Sequence, residues 1–224
     1  MLHQMTEPSG VCVVTHPITD IGELATAGLL ELVAAASESV YLITANLPDD
    51  SEIRDEYSFT EINEHGMGNS VAVAAIRFVL NQIRMCSAIM RREEDIILFF
   101  GATSYVLPIL FAWSIGKKVI IEPRGNVPDA LYGKWSKRMP PKAAYLLTVP
   151  IRCLERINFR LAHKILTLSP SMSEDLGVPD YSDKLHEHGA RPVDTQTFRP
   201  HTQYDERPKR IGYLGRLDEE KGVD

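Results

Sequence analysis

The sequence is short of the features that usually place a chain at once. Only three cysteines, Cys12, Cys86 and Cys153, occur in 224 residues, with no metal-like spacing between them. That excludes a disulfide framework and a cysteine-based zinc site, and it predicts buried free thiols in a reducing compartment. No apolar run is long enough to cross a bilayer, and the N-terminus lacks a basic region followed by an apolar core and cleavage site. The expectation is a cytoplasmic chain. Neither G-x-G-x-x-G nor a P-loop pattern is present, which sets aside the commonest nucleotide-binding signatures. With a net charge of -6 and no recognition motif, nucleic acid is not an expected partner.

What is present is a core's worth of apolar residues, 44% of the chain, enough for one sizeable domain and part of a second. Charge is unevenly spread. Residues 1–66 hold twelve acidic side chains against one basic, Arg54, whereas residues 117–164 hold eleven basic against three acidic. The basic block overlaps the span 134–160, where Trp135, Met139, Tyr145, Leu146 and Leu147 stand among the cations. Two readings fit: a solvated face, or a peripheral contact with anionic headgroups on the inner face of a membrane, each cation contributing about 1 kcal/mol.

Short β-branched and apolar runs recur along the chain. Val11–Thr15, Val40–Thr44, Asp95–Phe100, Val119–Glu122 and Lys164–Leu168 have the length and composition of strands in a parallel sheet, and Leu185–His188 reads as its last strand. Helical periodicity separates them, first from Ile21 to Val33. The stretch 46–69 is acidic and polar, with room for one short strand around Phe59. Ile76, Val79, Leu80, Ile83 and Met90 mark the apolar stripe of a long helix, with Arg77, Arg84 and Arg91 on a solvated face. Three prolines, Pro128, Pro140 and Pro141, predict an irregular insertion over 127–141. A second long helix through Leu147, Ile151, Leu154 and Leu161 follows, starting or kinking at Pro150. Ser169 before Pro170 has the form of an N-cap followed by a first-turn proline. The alternation predicts an α/β fold: a Rossmann-like parallel sheet with helices on both faces.

In such sheets ligands collect at the carboxyl ends of strands. Thr103 and Ser104, after the run ending at Phe100, can face such a site or cap the next helix. Arg124 and Gly125 leave the strand ending at Glu122. Arg124 cannot release a proton at neutral pH, so its expected role is an anion contact rather than a base. His186 and His188 share one face of the last strand, with nothing spaced to complete a metal site. Near the end, Ile211–Leu214 read as a strand, Gly215 as a sharp turn, and Arg216 and Lys221 as charges near the next helix start. Together they would neutralise a diphosphate, although any strand–turn–helix unit can carry Gly-Arg and a surface Lys.

The order of motifs in the last forty residues resembles family 4 glycosyltransferases. There the pattern runs N-G-V-D-x-x-x-F-x-P, a spacer, then G-R-L-x-x-x-K-G, and Asp194, Phe198, Pro200, Gly215, Arg216, Leu217, Lys221 and Gly222 match in order. Extra residues separate Gly189 from Asp194. Leu161–Ser169 is similar to the family's L-A-D-x-I-I-x-x-S, with His163 in place of Asp. The resemblance implies two Rossmann-like domains across a cleft, with 1–200 the acceptor-side domain and 201–224 the linker and first strand of a donor-binding domain. It assigns the leaving diphosphate of a nucleotide sugar to Gly215, Arg216 and Lys221, without metal or other cofactor. The family's first loop is glycine-rich; here only Gly22 is present, and an ordinary strand-to-helix turn fits equally. Where many relatives have His-Gly, this chain has Arg124-Gly125. The family's paired glutamates have no counterpart, so the expectation is an incomplete chain. The implied function is retaining transfer of a sugar from a nucleotide-diphosphate donor to a glycan or lipid-linked acceptor. The alternative is a non-catalytic acceptor-binding or partner-completed Rossmann-like module.

Overall fold

Val, Ile, Leu and Phe dominate the strand segments, and a strand with no polar face is stable only when both of its faces are covered. The computed structural model, which describes residues 10–18, 20–64, 71–188, 199–210 and 212–213, meets that demand with a parallel sheet between two helical layers. The chain divides into two compact units, residues 1–190 and 191–224.

In the first unit β1 (Val11–Thr15) leads through α1 (Asp20–Ala36) to β2 (Val40–Thr44), then through α2 (Ile53–Glu56) to β3 (Ser58–Glu61). The long α3 (Val71–Met90) returns the chain to β4 (Ile96–Phe100), beside β1. From there α4 (Val106–Ser114), β5 (Lys118–Glu122), α5 (Val127–Ser136), α6 (Pro141–Leu161), β6 (Lys164–Thr167), α7 (Pro170–Asp175) and β7 (Leu185–Glu187) continue in the other direction. The seven strands lie in the order β3-β2-β1-β4-β5-β6-β7, all parallel. This is the Rossmann-like arrangement expected from the sequence.

Alternating side chains of each strand feed two cores. Val11, Val13, Leu42, Leu98 and Phe100 pack with Leu30 of α1 on one face. Cys12, Val14, Ile97, Phe99, Ile121 and Ile165 pack on the other, under Met85 and Ile89 of α3, Ile109 of α4 and Phe159 of α6.

Three expectations are corrected. The α3 stripe faces outward: Ile76 is 61% and Met90 65% exposed, while Phe78, Asn81, Gln82, Met85 and Ile89 turn inward. Residues 71–90 carry only two charges, Arg77 and Arg84, so apolar periodicity alone could not choose a face. Two contacts favour the observed choice. Phe78 meets Tyr105 with ring centroids 4.8 Å apart, and Gln82 Oε1 accepts the Leu107 N–H at 3.0 Å in the first turn of α4. Second, the span 127–141 is largely helical, because Pro128 occupies the first turn of α5, where no backbone donor is needed, and Asn126 caps it by accepting the Asp129 N–H at 3.1 Å. Third, α6 begins at Pro141 and continues past Pro150, and its buried face holds Ala144, Thr148, Glu155, Asn158 and Phe159, while Leu146 and Leu147 are exposed. The thiols also differ from expectation: Cys12 is buried, Cys86 partly so, and Cys153 is exposed.

The Ser169 cap is as expected, accepting the Met172 N–H at 3.2 Å ahead of Pro170. His163 bridges strands: its backbone N–H donates to the Val119 carbonyl, and its Nδ1 accepts the Val119 N–H at 3.0 Å.

Of the second unit, the described residues are exposed and contain one 3-10 turn, Tyr204–Glu206, with Arg207 Nε donating to the Thr202 carbonyl at 2.9 Å. Gly215, Arg216 and Lys221 lie outside the described residues.

Phe99 is fully buried at the centre of the sheet, whereas Leu24 is 81% exposed on α1. Phe99→Ala is expected to lower unfolding free energy by about 3–5 kcal/mol, and Leu24→Ala by less than about 0.5 kcal/mol, in urea denaturation.

Candidate functional site

A sheet whose strand order reverses between β1 and β4 leaves a crevice at their carboxyl ends, because the connections on either side depart in opposite directions. Three segments meet there. His16 follows β1, Gly101 follows β4, and Arg124 follows β5. Gly101 adopts φ 69°, and a Cβ on it would lie 2.9 Å from Arg124 Cγ and 3.2 Å from the His16 ring. The missing side chain is what lets the imidazole and the arginine stem approach the same backbone. Gly101 is fixed in turn by donating its N–H to the Glu122 carbonyl at 2.9 Å.

The Arg124 guanidinium lies over the Phe100 ring, 4.6 Å from its centroid, and the side chain is exposed. That stacking orients the planar group while leaving its edges free for an anion. One edge of His16 meets solvent, yet the crowding around the ring removes enough hydration to hold its pKa below the ordinary histidine value, partly offset by a hydrogen bond to the Phe100 backbone. His16 is therefore largely neutral at pH 7, a hydrogen-bond acceptor beside a fixed cation. The sequence reading passed over His16. The rule that singled out the residues after β4 and β5 applies equally to the residue after β1, and would have found it.

The other expected residues fall differently. Gly125 has no positive φ, and a Cβ there would meet nothing within 4 Å, so its backbone does not require glycine. Gly22 is already inside α1, where its carbonyl accepts the Thr26 hydroxyl at 2.9 Å. Neither Thr103 nor Ser104 caps α4: its N-cap is Tyr105, which gives no side-chain cap, and the Leu107 N–H is taken by Gln82 instead. Thr103 is buried and donates to Glu155 Oε1 at 2.5 Å, while Asn158 Nδ2 donates to the Thr103 carbonyl at 2.6 Å. Ser104 Oγ and Asn158 Oδ1 are buried without a hydrogen-bond partner among the described residues.

Burial drives the Glu155 carboxyl up to about 7, opposed by the Thr103 hydrogen bond and nearby Arg152, while Asp129 adds to the rise. Arg152 itself pairs with Asp129. Farther along the sheet, His188 Nε2 lies 3.8 Å from Glu122 Oε1, and Lys164 meets His186 Nε2 at 2.7 Å. The two histidines thus use separate partners. No cluster of three metal-ligating side chains occurs among the described residues. A groove of about 390 Å³ lies on the other side of β1, between β2–β3 and α3, lined by Tyr41, Thr60, Arg84, Ser87, Arg91 and Arg92 among others. It is remote from the His16–Arg124 junction.

Comparison with solved structures finds the same architecture in parts of larger proteins. A UDP-N-acetylglucosamine 2-epimerase superposes with a TM-score of 0.57 at 14% identity, over 88% of this chain and 53% of that one. A UDP-glucosyltransferase from Polygonum tinctorium, capable of glucosylating indoxyl, gives 0.52 at 11% identity over 91% and 58%. The Neisseria meningitidis UDP-GlcNAc 2-epimerase, bound to UDP-GlcNAc, gives 0.51 at 14% identity over 80% and 46%. The chain is a Rossmann-like α/β unit, and more narrowly it matches half of a GT-B structure, spanning about half the length of these relatives. No family model matches the chain, and no curated protein matches it.

Two outcomes test the site. Gly101→Ala forces a side chain into left-handed backbone against Arg124 and is expected to cost about 2 kcal/mol in denaturant unfolding, whereas Gly125→Ala costs less than about 0.5 kcal/mol. Because the Glu155 pKa is raised on folding, the native state holds a proton that the unfolded chain has released between pH 4.5 and about 7. Stability from this group is therefore complete below pH 4.5 and lost as pH rises through about 7, by about 3 kcal/mol. Glu155→Gln, which keeps an acceptor for Thr103, should flatten that slope in unfolding curves measured across the same window.

Proposed function

We propose that the chain is part of a glycosyltransferase that moves a sugar from a nucleotide-diphosphate donor to an acceptor, with retention of anomeric configuration. The observation that carries this reading is the junction of His16, Gly101 and Arg124 at the switch point of a sheet that matches half of a GT-B structure. A neutral imidazole and an oriented guanidinium suit an acceptor that offers hydroxyls and an anionic group, as a glycan or lipid-linked phosphate does. The tail pattern Gly215, Arg216 and Lys221 supports the donor side independently of the fold.

In this reaction the bond from the anomeric carbon to the diphosphate oxygen breaks, and a bond to the acceptor oxygen forms. The diphosphate departs with the bonding electrons, and the acceptor hydroxyl passes its proton to the departing diphosphate. Arg216 and Lys221 would take up the charge growing on the leaving oxygens, which stabilises the transition state more than the bound donor. Three unpaired thiols, one of them exposed, support a reducing, cytoplasmic setting for it.

Epimerases share the fold, so the discriminating measurement is product analysis with a labelled UDP-sugar, with and without acceptor. Transfer needs the acceptor and releases UDP; epimerisation yields an isomeric nucleotide sugar without one. For the donor site, calorimetric titration of uridine and guanosine diphosphates is expected to show about tenfold weaker binding to Arg216→Ala than to the unchanged chain. Equal affinities would remove Arg216 from the site.

A further inference from the structure

Three neighbouring helices, α3, α4 and α6, cover one face of the sheet, with α4 packed against the other two. The outer side of each is apolar. Ile76, Leu80, Ile83 and Met90 line α3; Leu107, Leu110 and Trp113 line α4; Leu146, Val149 and Ile157 line α6. These recur at helical spacing on the side opposite the core, so each helix is apolar on two sides rather than one. Large apolar side chains are thus exposed on three adjacent helices, and monomeric soluble proteins rarely leave large apolar patches uncovered.

Charge on the same helices has one sign. Between 71 and 90 the only charges are Arg77 and Arg84, α4 has none, and α6 carries Lys142, Arg152, Arg156 and Arg160 against a single carboxyl, Glu155, which is buried. The arginine-lined groove beside α3 adjoins this face, with Arg84 and Arg91 next to Ile83 and Met90 and the hydroxyls of Ser87 and Thr60 within it. Among the described residues no helix is long and apolar enough to cross a membrane.

We infer that the outer face of α3, α4 and α6 lies on an anionic lipid bilayer. Apolar side chains enter the interfacial zone, the surrounding cations meet headgroup phosphates, and the groove seats one such phosphate. A second copy of the chain is a poorer occupant, since two such faces apposed would set cation against cation with no exposed carboxylate from these helices to relieve them. The basic span 134–160 contributes chiefly through α6, because Trp135 and Met139 are half-buried. This inference does not depend on the proposed chemistry.

The test is co-sedimentation of the full chain with phosphatidylglycerol vesicles and with phosphatidylcholine vesicles, alongside light scattering. The expected result is binding to phosphatidylglycerol that weakens at raised salt, little binding to phosphatidylcholine, and a loss of at least about tenfold for the double variant Leu110→Gln/Leu146→Gln. Arg84→Glu should weaken binding too, and Leu24→Gln on the opposite face should leave it unchanged. Both apolar positions are solvent-exposed, and unchanged unfolding curves would show that the variants fold. No binding to phosphatidylglycerol, or binding indifferent to these variants, overturns the inference. So does a dimer that Leu146→Gln dissociates in the absence of vesicle binding.

Discussion

The loop between β4 and α4 is the constraint from which much of this structure follows. It sits at the point where the strand order reverses, its residues Ala102 to Tyr105 are buried, and its polar groups must find partners inside the protein. Those of Thr103 and Leu107 find them on two different helices, while Ser104 Oγ has none among the described residues. Asn158 and Glu155 of α6 take the carbonyl and hydroxyl of Thr103, and Gln82 of α3 takes the Leu107 N–H one turn into α4. Each lost partner would strand a buried polar group at a cost of about 1–3 kcal/mol, more than an ordinary hydrogen bond contributes. The rotation of α3 and α6 about their axes is accordingly set by polar demand at the loop as much as by apolar burial. Their remaining apolar side chains are turned outward as a result.

The same loop positions the candidate site on its other side. Gly101 opens the space into which His16 and Arg124 converge, and its N–H ties β4 to the end of β5. A cation stacked on Phe100 and an imbalance of hydration at His16 are both products of close packing at this one junction. The junction and the outward helical face are linked through Thr103. A change that loosens the α6 side of the loop would be felt at Gly101, two residues away.

Strand positions and their parallel arrangement were largely legible in the sequence because a strand buried on both faces leaves a mostly apolar run, and five of the seven, all but β3 and β7, are such runs. The Ser169 cap was legible for a similar reason: its chemistry is complete within four residues. What could not be read was which side of α3 or α6 points inward. Both helices are apolar on more than one side, and the choice is made by partners distant in sequence, such as Gln82 with Leu107 and Glu155 with Thr103. Pro128 misled for a different reason, since a proline that breaks a helix interior also begins one. At the site, Arg124 and His16 are both strand-exit residues visible in the sequence, while their convergence at Gly101 needed the fold to bring β1 beside β4.

Pro150 has one more effect. With no N–H of its own, it denies the Leu146 carbonyl its usual donor one turn earlier, midway along α6 on the exposed side. A carbonyl in that state is tolerable against water or a headgroup and very costly in hydrocarbon. With α6 laid on a bilayer as inferred above, this carbonyl would act as a depth stop, letting the helix sink only as far as moisture follows it.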